Sequence, residues 1–478
     1  MDLAKLFYPE SIAIIGASAN MGGGKIPYFL LLQGGGYKGK LYPVNPKYSE
    51  INGVKAYASI DQLPEGIDYA IVAAPVQQSM DIIKSAARKK IKFIHFFTSG
   101  FGETGNYDLE KELVKEAHKG GTRIIGPNCV GVHCTESKLS FGYGFEQPPN
   151  PSPGNVAFLG QSGGVTGNFT SMAITRKIQV NKIVSYGNQI DVRVEDFLNY
   201  FAEDRNITLI ACYIEDIKDT KSFLRALRRT TEKKPVIILK GGTTAQGSVA
   251  AASHTGAMAS DYRIWSSAIC QHGGVLVDNF DQMMNLVMLG TGEKALKGTR
   301  LGFLGAGGGV SVLFTDMAIQ EGLSLPQLEE KTQRMIAEKI RGINTSTMNP
   351  VDLGAYGFDF NVMSHTMKAL DKDTNIDIII PYFSVDYILR AVLLLNAENS
   401  QQTIVEIARK IKKPVIPILT RFTEDSLDIE KTRIDTFLTL RNAGFPVFSN
   451  IQDAVYSIRK YFEWEGKRTH NKKNRVAP

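Results

Sequence analysis

One pattern constrains the fold of this chain more than any other, and it occurs three times: an apolar strand runs directly into a glycine-rich turn and then into a helical segment. The three turns are Gly16–Gly24, Gly160–Gly164 and Gly305–Gly309. Many α/β proteins need glycine at such turns only for close packing, but backbone amides at a helix N-terminus can also face an anion. Three such turns in 478 residues therefore indicate phosphate handling.

Short β-branched runs alternate with amphipathic segments along most of the chain, which is typical of parallel, doubly wound sheets. The predicted strands form three series: Ser11–Ile15, Lys40–Val44, Tyr69–Ala73, Lys92–Phe97 and Arg123–Ile125; Val156–Leu159, Lys182–Ser185, Leu209–Tyr213, Val236–Leu239 and Gly274–Val277; and Arg300–Leu304, Ile376–Pro381 and Val415–Leu419. A closing helix is predicted over Asp453–Trp464.

Proline marks the first domain boundary. The segment Gln147–Gly154 contains four prolines and can continue neither a helix nor a strand. The length fits three domains of ordinary size. The sequence therefore predicts three α/β domains in tandem and a basic tail, with boundaries at 1–147, 154–293, 299–465 and 466–478.

Composition places the chain among globular proteins, because 43% of its residues are hydrophobic and 22% are charged. Its four cysteines lack the CxxC spacing of a zinc site and are too few for a disulfide framework, so we expect a reducing compartment and no metal site. We find no secretory signal, and no run reaches the roughly 18 apolar residues that span a bilayer. A cytoplasmic protein without a membrane partner is expected.

The formal net charge of +7 first suggests nucleic-acid binding. The segment Gly466–Pro478, however, contains five basic residues and no acidic one, so the rest of the chain carries only +2. A nearly neutral body with a solvated, frayed basic terminus is not typical of a duplex-binding domain. We therefore expect no nucleic-acid partner.

The first turn differs from the dinucleotide fingerprint GxGxxG. Ser18 stands where the second glycine would be, and Tyr42–Pro46 provides no carboxylate for a ribose 2′-hydroxyl. NAD is therefore disfavoured. The 3′-phosphorylated ADP of coenzyme A (CoA) is still a possible ligand, because the strand end provides backbone groups and the Asn45 side chain instead of a carboxylate.

The second turn suggests a different activity. Gly160–Gly164 matches GxSxG between a strand and a helix, so Ser162 could be the nucleophile of a serine hydrolase or thioesterase, with His254 or His272 as its base. An elbow of this kind normally follows several strands of one sheet, whereas this motif follows the first strand of its domain. The hydrolase is therefore the alternative rather than the leading interpretation.

His254 lies in a long run of small residues after a predicted strand, where an imidazole can be approached from several sides. Glu215 ends an earlier strand at the edge where doubly wound folds bind ligands. A carboxylate that accepts the Nδ1 proton would leave Nε2 free to accept a phosphoryl group. From the residues alone, it is also possible that His254 is a surface histidine and Glu215 a solvated carboxylate, neither of them with a catalytic role.

These motifs together closely resemble the α subunit of ADP-forming acetyl-CoA synthetase (acetate–CoA ligase, ADP-forming) in the succinyl-CoA synthetase superfamily. The resemblance covers roughly 3–462. It rests on Ser11–Ser18, Tyr42–Pro46, Thr98–Glu103, Gly126–Cys129, Gly160–Gly164, Ser185–Asn188 and Ala252–Ala257.

The resemblance implies a Rossmann-like CoA-binding domain followed by two flavodoxin-like, succinyl-CoA synthetase-like domains. The residues implied to contact CoA are Ser18 and Gly24 at the phosphates, Pro43 and Asn45 at the adenosine end, Ser99 and Gly100 along the pantetheine channel, and Asn128 and Cys129 near the thiol. His254 would carry the phosphoryl group and Glu215 would orient it. The helix N-termini at Ser162-Gly163 and Gly307-Gly308 would hold that phosphate, one at each of two stations.

The reaction implied is the interconversion of acyl-CoA, ADP and phosphate with a carboxylic acid, CoA and ATP, through an acyl phosphate and a phosphohistidine. Such catalysis depends mainly on positioning and charge stabilisation. The chain has no segment for the ATP-grasp domain of this superfamily, so we expect a separate β subunit, in an α2β2 assembly, to supply ADP or ATP and Mg²⁺. Acetate, branched-chain, aryl and dicarboxylic acids all stay open as substrates, and a CoA-binding regulatory protein without turnover is a further alternative.

Overall fold

The computed structural model describes residues 1–18, 26–141, 152–255, 262–389 and 400–476. Contacts between Cα atoms divide the chain into two compact units. The N-terminal unit is Met1–Met283 together with Lys467–Pro478, and the C-terminal unit is Met284–Gly466.

The first sheet of the N-terminal unit is parallel, with strand order β2-β1-β5-β6-β7. Its strands and a small antiparallel pair, β3 and β4, are β1 (Ser11–Ile15), β2 (Lys40–Val44), β3 (Glu50–Ile51), β4 (Val54–Lys55), β5 (Tyr69–Val72), β6 (Phe93–Phe96) and β7 (Arg123–Ile125). The helices are α1 (Ala4–Phe7), α2 (Tyr28–Gly34), α3 (Ser79–Arg88) and α4 (Tyr107–Lys119).

Burial explains why these segments form strands and helices. Four of the five residues of β1 are buried, as expected for a parallel strand that is covered on both faces. On α4 the buried residues are Leu113 and Ala117, four positions apart on one face. In the register Ile15 lies opposite Val44 and Val72, so the carboxyl ends of β1, β2 and β5 meet at one edge.

The second sheet has strand order β13-β12-β11-β9-β10-β8. Its strands are β8 (Gly131–Cys134), β9 (Val156–Gly160), β10 (Val180–Ser185), β11 (Leu209–Ile214), β12 (Val236–Lys240) and β13 (Val275–Val277). The helices are α5 (Gly163–Thr175), α6 (Val194–Glu203), α7 (Thr220–Thr231), α8 (Ala245–Thr255), α9 (Tyr262–Gln271) and α10 (Phe280–Gly290). Strand β8 precedes the proline-rich segment, yet it pairs antiparallel with β10 as an edge strand.

The C-terminal unit contains a parallel sheet of order β15-β14-β16-β17. Its strands are β14 (Leu301–Gly305), β15 (Val351–Asp352), β16 (Ile378–Ser384) and β17 (Ile418–Thr420). The helices of this part of the chain are α11 (Gly308–Gln320), α12 (Glu330–Ala337), α13 (Phe360–Lys372), α14 (Ser400–Lys410), α15 (Leu427–Asn442) and α16 (Ile451–Val476).

Helix α16 is longer than the sequence predicts. It continues through the basic segment to Val476, where we expected a frayed terminus. Neither glycine nor proline interrupts positions 467–476, and lysine and arginine are good helix formers, so the helix can continue.

One β-turn-α element occurs twice with the same packing. The segments Phe158–Val165 and Phe303–Val310 both read Phe-Leu-Gly-x-x-Gly-Gly-Val. In the first copy the rings of Phe158 and Phe169 stack with centroids 3.9 Å apart. In the second copy Phe303 and Phe314 stack at 4.1 Å. Both turns therefore open a helix that is fixed to its own strand by one stacked aromatic pair.

Candidate active site

A cavity of about 260 Å³ lies at the N-terminus of α5 in the N-terminal unit, and we call it the α5 cavity. Its lining residues are Phe97, Asn128, Cys129, Val130, Gln161, Ser162, Gly163, Gly164, Gly187 and Asn188. They belong to segments that follow β6, β7, β9 and β10. The structure thus brings two residues implied to lie near a thiol, Asn128 and Cys129, together with two implied to bind phosphate, Ser162 and Gly163.

The turn before α5 is an ordinary N-cap. Ser162 has extended backbone angles (φ −95°, ψ 134°), and its Oγ accepts a hydrogen bond from the N–H of Val165 at 3.5 Å. The first N–H groups of a helix have no partner within the helix, so those of this turn can bind an anion. A Cβ on Gly163 would lie 3.3 Å from Val130 Cγ1, so the glycine permits the close approach of these two segments.

The same geometry argues against the hydrolase alternative. A nucleophile elbow holds its serine in a strained turn, whereas the backbone of Ser162 is relaxed. Within the part of the chain that the structure describes, no imidazole hydrogen-bonds to Ser162. His272 Nδ1 instead donates to the carbonyl of Ala268, at 2.7 Å. Ser162 therefore acts as a helix cap.

Gln161 connects this turn to Glu215. Its side chain is buried, and Oε1 accepts two backbone hydrogen bonds, from Glu215 at 2.8 Å and from Asp216 at 2.9 Å. The backbone N–H of Gln161 donates to the carbonyl of Tyr213 at 3.1 Å. The phosphate turn and the carboxyl end of β11 are therefore held as one piece.

Glu215 is half-buried and lies beside the beginning of the segment that leads to α8. The Nζ of Lys240 donates to the Glu215 carbonyl at 2.8 Å. Burial lowers the pKa of Lys240, and the carboxylates of Asp216 and Glu215 offset this only in part. A Cβ on Gly241 would meet Tyr213 Oη at 2.7 Å and Glu215 Cγ at 3.3 Å, so a larger residue would require these side chains to shift where the two strand ends converge.

Helix α8 includes position 254, and the imidazole of His254 lies outside the described side chains. The helix begins after Gly242, which has a φ of +69°, and Ser248 Oγ donates to the Gly242 carbonyl at 2.9 Å. It contacts the 3-10 turn Gly102–Thr104, which follows β6. Positions 252–255 of the motif around His254 thus belong to a helix that contacts the end of the Thr98–Glu103 motif.

Two half-buried carboxylates, Glu103 and Glu110, shape that turn. Glu103 Oε1 accepts hydrogen bonds from the N–H groups of Gly100 and Phe101, and Glu110 Oε1 accepts one from Gly102 at 2.9 Å. Asn188 Nδ2 donates to both carboxylates, at 2.6 Å to Glu103 Oε2 and 2.8 Å to Glu110 Oε1.

The pKa values of this carboxylate pair shift in opposite directions. Burial alone would raise the pKa of Glu103, but hydrogen bonds from Asn188 and the backbone outweigh it and hold the pKa below its usual value. Burial raises the pKa of Glu110, and the hydrogen bonds from Asn188 and Gly102 and the charge of Lys218 compensate only in part. Glu103 is therefore the more persistently ionised of the two.

The residues implied to bind CoA occupy the carboxyl edge of the first sheet. Asn45 Nδ2 donates to the carbonyl of Ala17 at 2.7 Å, so this side chain ties the end of β2 to the first glycine turn. Pro43 is buried in β2. Gly16 has a φ of +84°, and a Cβ there would lie 2.6 Å from the Ala73 carbonyl.

The remaining implied CoA contacts lie in loops. Ser18 lies in the first turn and is the last described residue before position 26, and Gly24 lies outside the described residues. Ser99 is exposed at the end of β6, and Gly100 has a φ of +108° with a would-be Cβ 3.2 Å from Val76. Ser99 is therefore accessible to a ligand that crosses this edge of the sheet, whereas a side chain at position 100 would crowd Val76.

Cys129 is not an activated nucleophile. Its thiol is buried and lies 3.9 Å from the carbonyls of both Phe96 and Ile125. Burial raises the pKa of Cys129 to about 12, so the thiol stays neutral at physiological pH. We conclude that Cys129 contributes shape and packing to the α5 cavity.

Among the side chains that the structure describes, no cluster of three or more histidine, cysteine, aspartate or glutamate residues has the arrangement of a metal site. Likewise, none of the helices within the described ranges is long and apolar enough to cross a bilayer.

In the C-terminal unit, the N-terminus of α11 borders a second cavity of about 260 Å³, which we call the α11 cavity. Aromatic side chains dominate its wall: Phe358, Phe360, Tyr382, Phe383, Tyr387 and Phe422. Asp352 stands at the helix end, where its Oδ1 accepts hydrogen bonds from Gly307 at 3.0 Å and Gly354 at 2.9 Å. The amide of Gly307 is thus already paired with a carboxylate, and those of the following residues are left for an anion.

Sequence reasoning assigned no role to Gln161, Asn188, Glu103 or Lys240. Gln161, Asn188 and Glu103 stand inside the motifs Gly160–Gly164, Ser185–Asn188 and Thr98–Glu103, so position in a motif was the available signal. Their roles depend on contacts between segments that are distant in sequence.

Comparisons with known proteins agree on one family. A family model described as "CoA binding domain" matches residues 10–135, and one described as "Succinyl-CoA ligase like flavodoxin domain" matches 153–289. The α subunit of acetate–CoA ligase [ADP-forming] II from Pyrococcus furiosus is 34% identical, over 94% of this chain and 97% of that protein. The matches confirm the predicted fold class.

Two further proteins are similar. Acetate–CoA ligase [ADP-forming] from Methanocaldococcus jannaschii is 34% identical over 74% of this chain, which spans 49% of that longer protein. The structure of an acetyl-coenzyme A synthetase 1 from Ca. Korarchaeum cryptofilum, in complex with phosphate and ADP, superimposes with a TM-score of 0.86 at 27% identity, covering 100% of this chain and 99% of that one.

Proposed function

This chain belongs to the family of ADP-forming acetate–CoA ligases, and we propose that within it the chain is the subunit that binds CoA and carries the phosphoryl group. The reaction is the interconversion of acyl-CoA, ADP and phosphate with a carboxylic acid, CoA and ATP. The observation that carries this proposal is the α5 cavity, in which the loop of Asn128 and Cys129 meets the N-terminus of α5.

In the first step inorganic phosphate attacks the thioester carbonyl of acyl-CoA, the C–S bond breaks, and acyl phosphate and CoA are formed. The amides at the start of α5 hold the phosphate, because a helix N-terminus stabilises negative charge. Asn128 and Cys129 lie on the wall of the same cavity, where the thiol end of CoA would reach it. The two reactants are thereby brought together without a covalent link to the protein.

In the second step Nε2 of His254 attacks the phosphorus of acyl phosphate, and the carboxylate leaves. Glu215 orients the imidazole by accepting a hydrogen bond from Nδ1–H. This favours the tautomer in which Nε2 carries no hydrogen and can attack, because in the other tautomer Nε2 is protonated. Support for this assignment comes from the position of Glu215, whose backbone is held by Gln161 and Lys240 at the strand ends next to α8.

CoA is proposed to lie along the carboxyl edge of the first sheet. Its phosphates would contact the first glycine turn at Ser18 and Gly24, and its adenosine end the Pro43 and Asn45 strand end. The pantetheine arm would pass Ser99 and Gly100. The hydrogen bond from Asn45 Nδ2 to the Ala17 carbonyl, which holds the start of the first glycine turn next to the end of β2, supports this placement.

A second station for phosphate is proposed at the N-terminus of α11, with Gly307 and Gly308. The Asp352 carboxylate, which already accepts the Gly307 amide, would oppose an anion there. Phosphate would therefore bind this station more weakly than the one at α5.

ADP or ATP and Mg²⁺ are proposed to bind to an ATP-grasp β subunit, so that the active form is a hetero-oligomer, proposed to be α2β2. The α-subunit relative from Pyrococcus furiosus supports this division. The acid substrate is a small carboxylic acid. The metal would supply charge neutralisation for the nucleotide phosphates, while the residues of this chain bind and carry the phosphoryl group.

The experiment is labelling of the purified chain with ³²P-phosphate in the presence of a panel of acyl-CoA esters. We expect an acid-labile, base-stable phosphate on the chain, none of it in His254→Ala, and labelling at least about tenfold slower in Glu215→Gln. His118→Ala is the matched control, because His118 is exposed and does not line the cavity, and it should label as the parent does. Label that persists in His254→Ala, or no label with any acyl-CoA, overturns the assignment.

A further inference from the structure

The α5 cavity is lined by two buried side-chain amides, Gln161 and Asn188, with exposed fractions of 4% and 7%. In each of them one half of the amide is committed to other residues. The commitments are opposite: Gln161 uses its oxygen, and Asn188 uses its nitrogen. The half that is left for the cavity is therefore a donor in one case and an acceptor in the other.

The orientation of Gln161 is fixed by chemistry. Two backbone N–H groups, those of Glu215 and Asp216, point at one end of its amide, and only an oxygen can accept them. Nε2 must then face away from them. Within the described residues Nε2 has no hydrogen-bond partner, so its two N–H groups are available to a ligand.

The orientation of Asn188 is fixed in the same manner. Its nitrogen lies between Glu103 Oε2 and Glu110 Oε1, and two carboxylate oxygens can only be met by a donor. The charged groups around this pair are Lys218, which reaches Glu110 electrostatically, and Asp216, which forms an ion pair with Lys218 at 3.2 Å. Asn188 Oδ1 accepts no hydrogen bond within the described residues.

We propose that Gln161 and Asn188 form a donor–acceptor pair that recognises the attacking inorganic phosphate, with Gln161 Nε2 donating to an unprotonated oxygen and Asn188 Oδ1 accepting from the P–OH group. This inference rests on the proposed function of the cavity and names its substrate contacts. Helix amides alone would bind any small oxyanion. Asn188 Oδ1, as a hydrogen-bond acceptor in the same cavity, favours an oxyanion that still carries a proton.

The pair also distinguishes substrate from product. Inorganic phosphate retains an O–H at neutral pH, whereas acyl phosphate and phosphohistidine have lost theirs. When Asn188 Oδ1 accepts a hydrogen bond from the P–OH group, the protonated oxygen is held at Asn188. The oxygen that attacks the thioester carbonyl is then one of the unprotonated oxygens. After transfer Asn188 Oδ1 faces an oxygen without a hydrogen, and the product is held less tightly than the substrate.

The test compares phosphate with sulfate, which has the same shape and no O–H at neutral pH, by isothermal titration calorimetry on the full chain. We expect phosphate to bind about tenfold to a hundredfold more tightly than sulfate, the range for one hydrogen bond to a charged group. In Asn188→Ala the ratio should fall to about one while sulfate affinity changes by less than about twofold. Asn168→Ala, an exposed amide on α5, is the matched control and should keep the parent ratio.

Gln161→Glu tests the donor half and is chosen to preserve the fold. Its carboxylate still accepts the N–H groups of Glu215 and Asp216, but it replaces the donor with a negative charge, so both anions should bind at least about tenfold more weakly. Gln271→Glu, at an exposed position on α9, introduces the same charge away from the cavity and should leave both affinities unchanged. Circular dichroism spectra of all variants verify that they fold.

Equal binding of phosphate and sulfate by the parent chain overturns the inference, as does a phosphate affinity in Gln161→Glu that equals that of the parent. Weaker binding at the α11 station is expected in both chains and does not count against the pair. The ³²P label separates this failure from failure of the proposed function. A parent chain that prefers phosphate but never acquires label supports the pair and overturns the phosphohistidine. A chain in which Asn188→Ala and Gln161→Glu acquire label at the parent rate supports the phosphohistidine and overturns the pair.

Discussion

The Oε1 atom of Gln161 accepts a hydrogen bond from the backbone N–H of Glu215 at 2.8 Å, and through this contact the phosphate-binding turn and the carboxylate proposed to orient His254 share one support. The same oxygen accepts from Asp216 at 2.9 Å. A residue that looks like the variable position of a GxSxG motif is therefore the link between the two parts of the site.

Gln161→Leu should destabilise the chain, because it keeps the approximate size of the side chain and leaves two buried N–H groups without an acceptor. We expect the free energy of unfolding to fall by about 2–4 kcal/mol, at one to two kcal/mol for each group. Urea denaturation of the parent, Gln161→Leu and Gln161→Glu measures this. The glutamate variant retains the acceptor, and a loss as large as that of the leucine variant would contradict the explanation.

Gly187→Ala should be strongly destabilising, since a Cβ there would lie 2.1 Å from the carbonyl of Pro127 and the residue has a φ of +49°. Gly66→Ala is the matched control, because Gly66 also has a positive φ, +74°, but its Cβ would meet nothing within 4 Å. We expect about 1 kcal/mol of destabilisation in the control and clearly more at Gly187. Similar melting temperatures for the two variants would show that the backbone near the Pro127 carbonyl can move to accommodate the Cβ with little loss of stability.

Cys129 should resist alkylation in the folded chain, because its pKa of about 12 leaves almost no thiolate at pH 8 and burial blocks access. Cys270 is partly exposed and provides the internal comparison. Peptide mass mapping after brief treatment with iodoacetamide should find Cys270 modified and Cys129 unmodified, and both modified in guanidinium chloride. Native labelling of Cys129 at the rate of Cys270 would exclude a buried neutral thiol.

Glu110→Gln should stabilise the chain at neutral pH and have little effect in acid. The pKa of Glu110 is raised by folding, so its contribution to stability is fully present below the unfolded-state pKa and is lost as the pH rises through the folded-state pKa. Glutamine cannot ionise, and the variant therefore avoids that loss. Chemical denaturation across a pH series measures the difference.

Glu103→Gln provides the opposite case. The pKa of Glu103 is lowered by folding, so its contribution is present above the unfolded-state pKa and is lost as the pH falls through the folded-state pKa. The variant should be less stable than the parent at neutral pH and approach it in acid. If the two variants respond to pH in the same direction, the opposite shifts are wrong.

Asp352→Asn should strengthen anion binding at α11. The amide oxygen can still accept the N–H of Gly307, while the negative charge at the helix N-terminus is removed. Removal of one partly exposed like charge is expected to increase phosphate affinity at this station up to about fivefold. Titration of a chain that also carries Gln161→Glu isolates this station, and an unchanged or weaker affinity would contradict a phosphate site there.

The main architecture could be predicted from the sequence because parallel strands that are buried on both faces stand out as short apolar runs. Strand β1 was predicted with the same limits, and β9 with a difference of one residue. The two-residue strand β15 and the edge strand β8 were not predicted, since neither is distinguished by its own residues. Strand β8 depends on pairing with β10, a contact across some fifty positions of sequence.

The site was predictable to a similar degree. The turns that hold Ser162 and Asn128 stand at the ends of predicted strands, and parallel topology brings such ends to one edge. The opposite orientations of the Gln161 and Asn188 amides were not predictable, because each is determined by partners from another loop. A sequence motif gives the position of such a residue but not which of its atoms faces the ligand.

The two copies of the β-turn-α element differ in their side-chain acceptor. Both contain the stacked phenylalanines, but in the first copy Ser162 Oγ within the turn accepts the N–H of Val165, whereas in the second copy Asp352 on a neighbouring strand accepts the N–H of Gly307. Gly307 has a φ of +114°, a conformation that a serine would rarely adopt. The two turns are therefore not interchangeable. Replacing the second turn with the first would place a serine at position 307, where its hydroxyl could be added only at the cost of backbone strain.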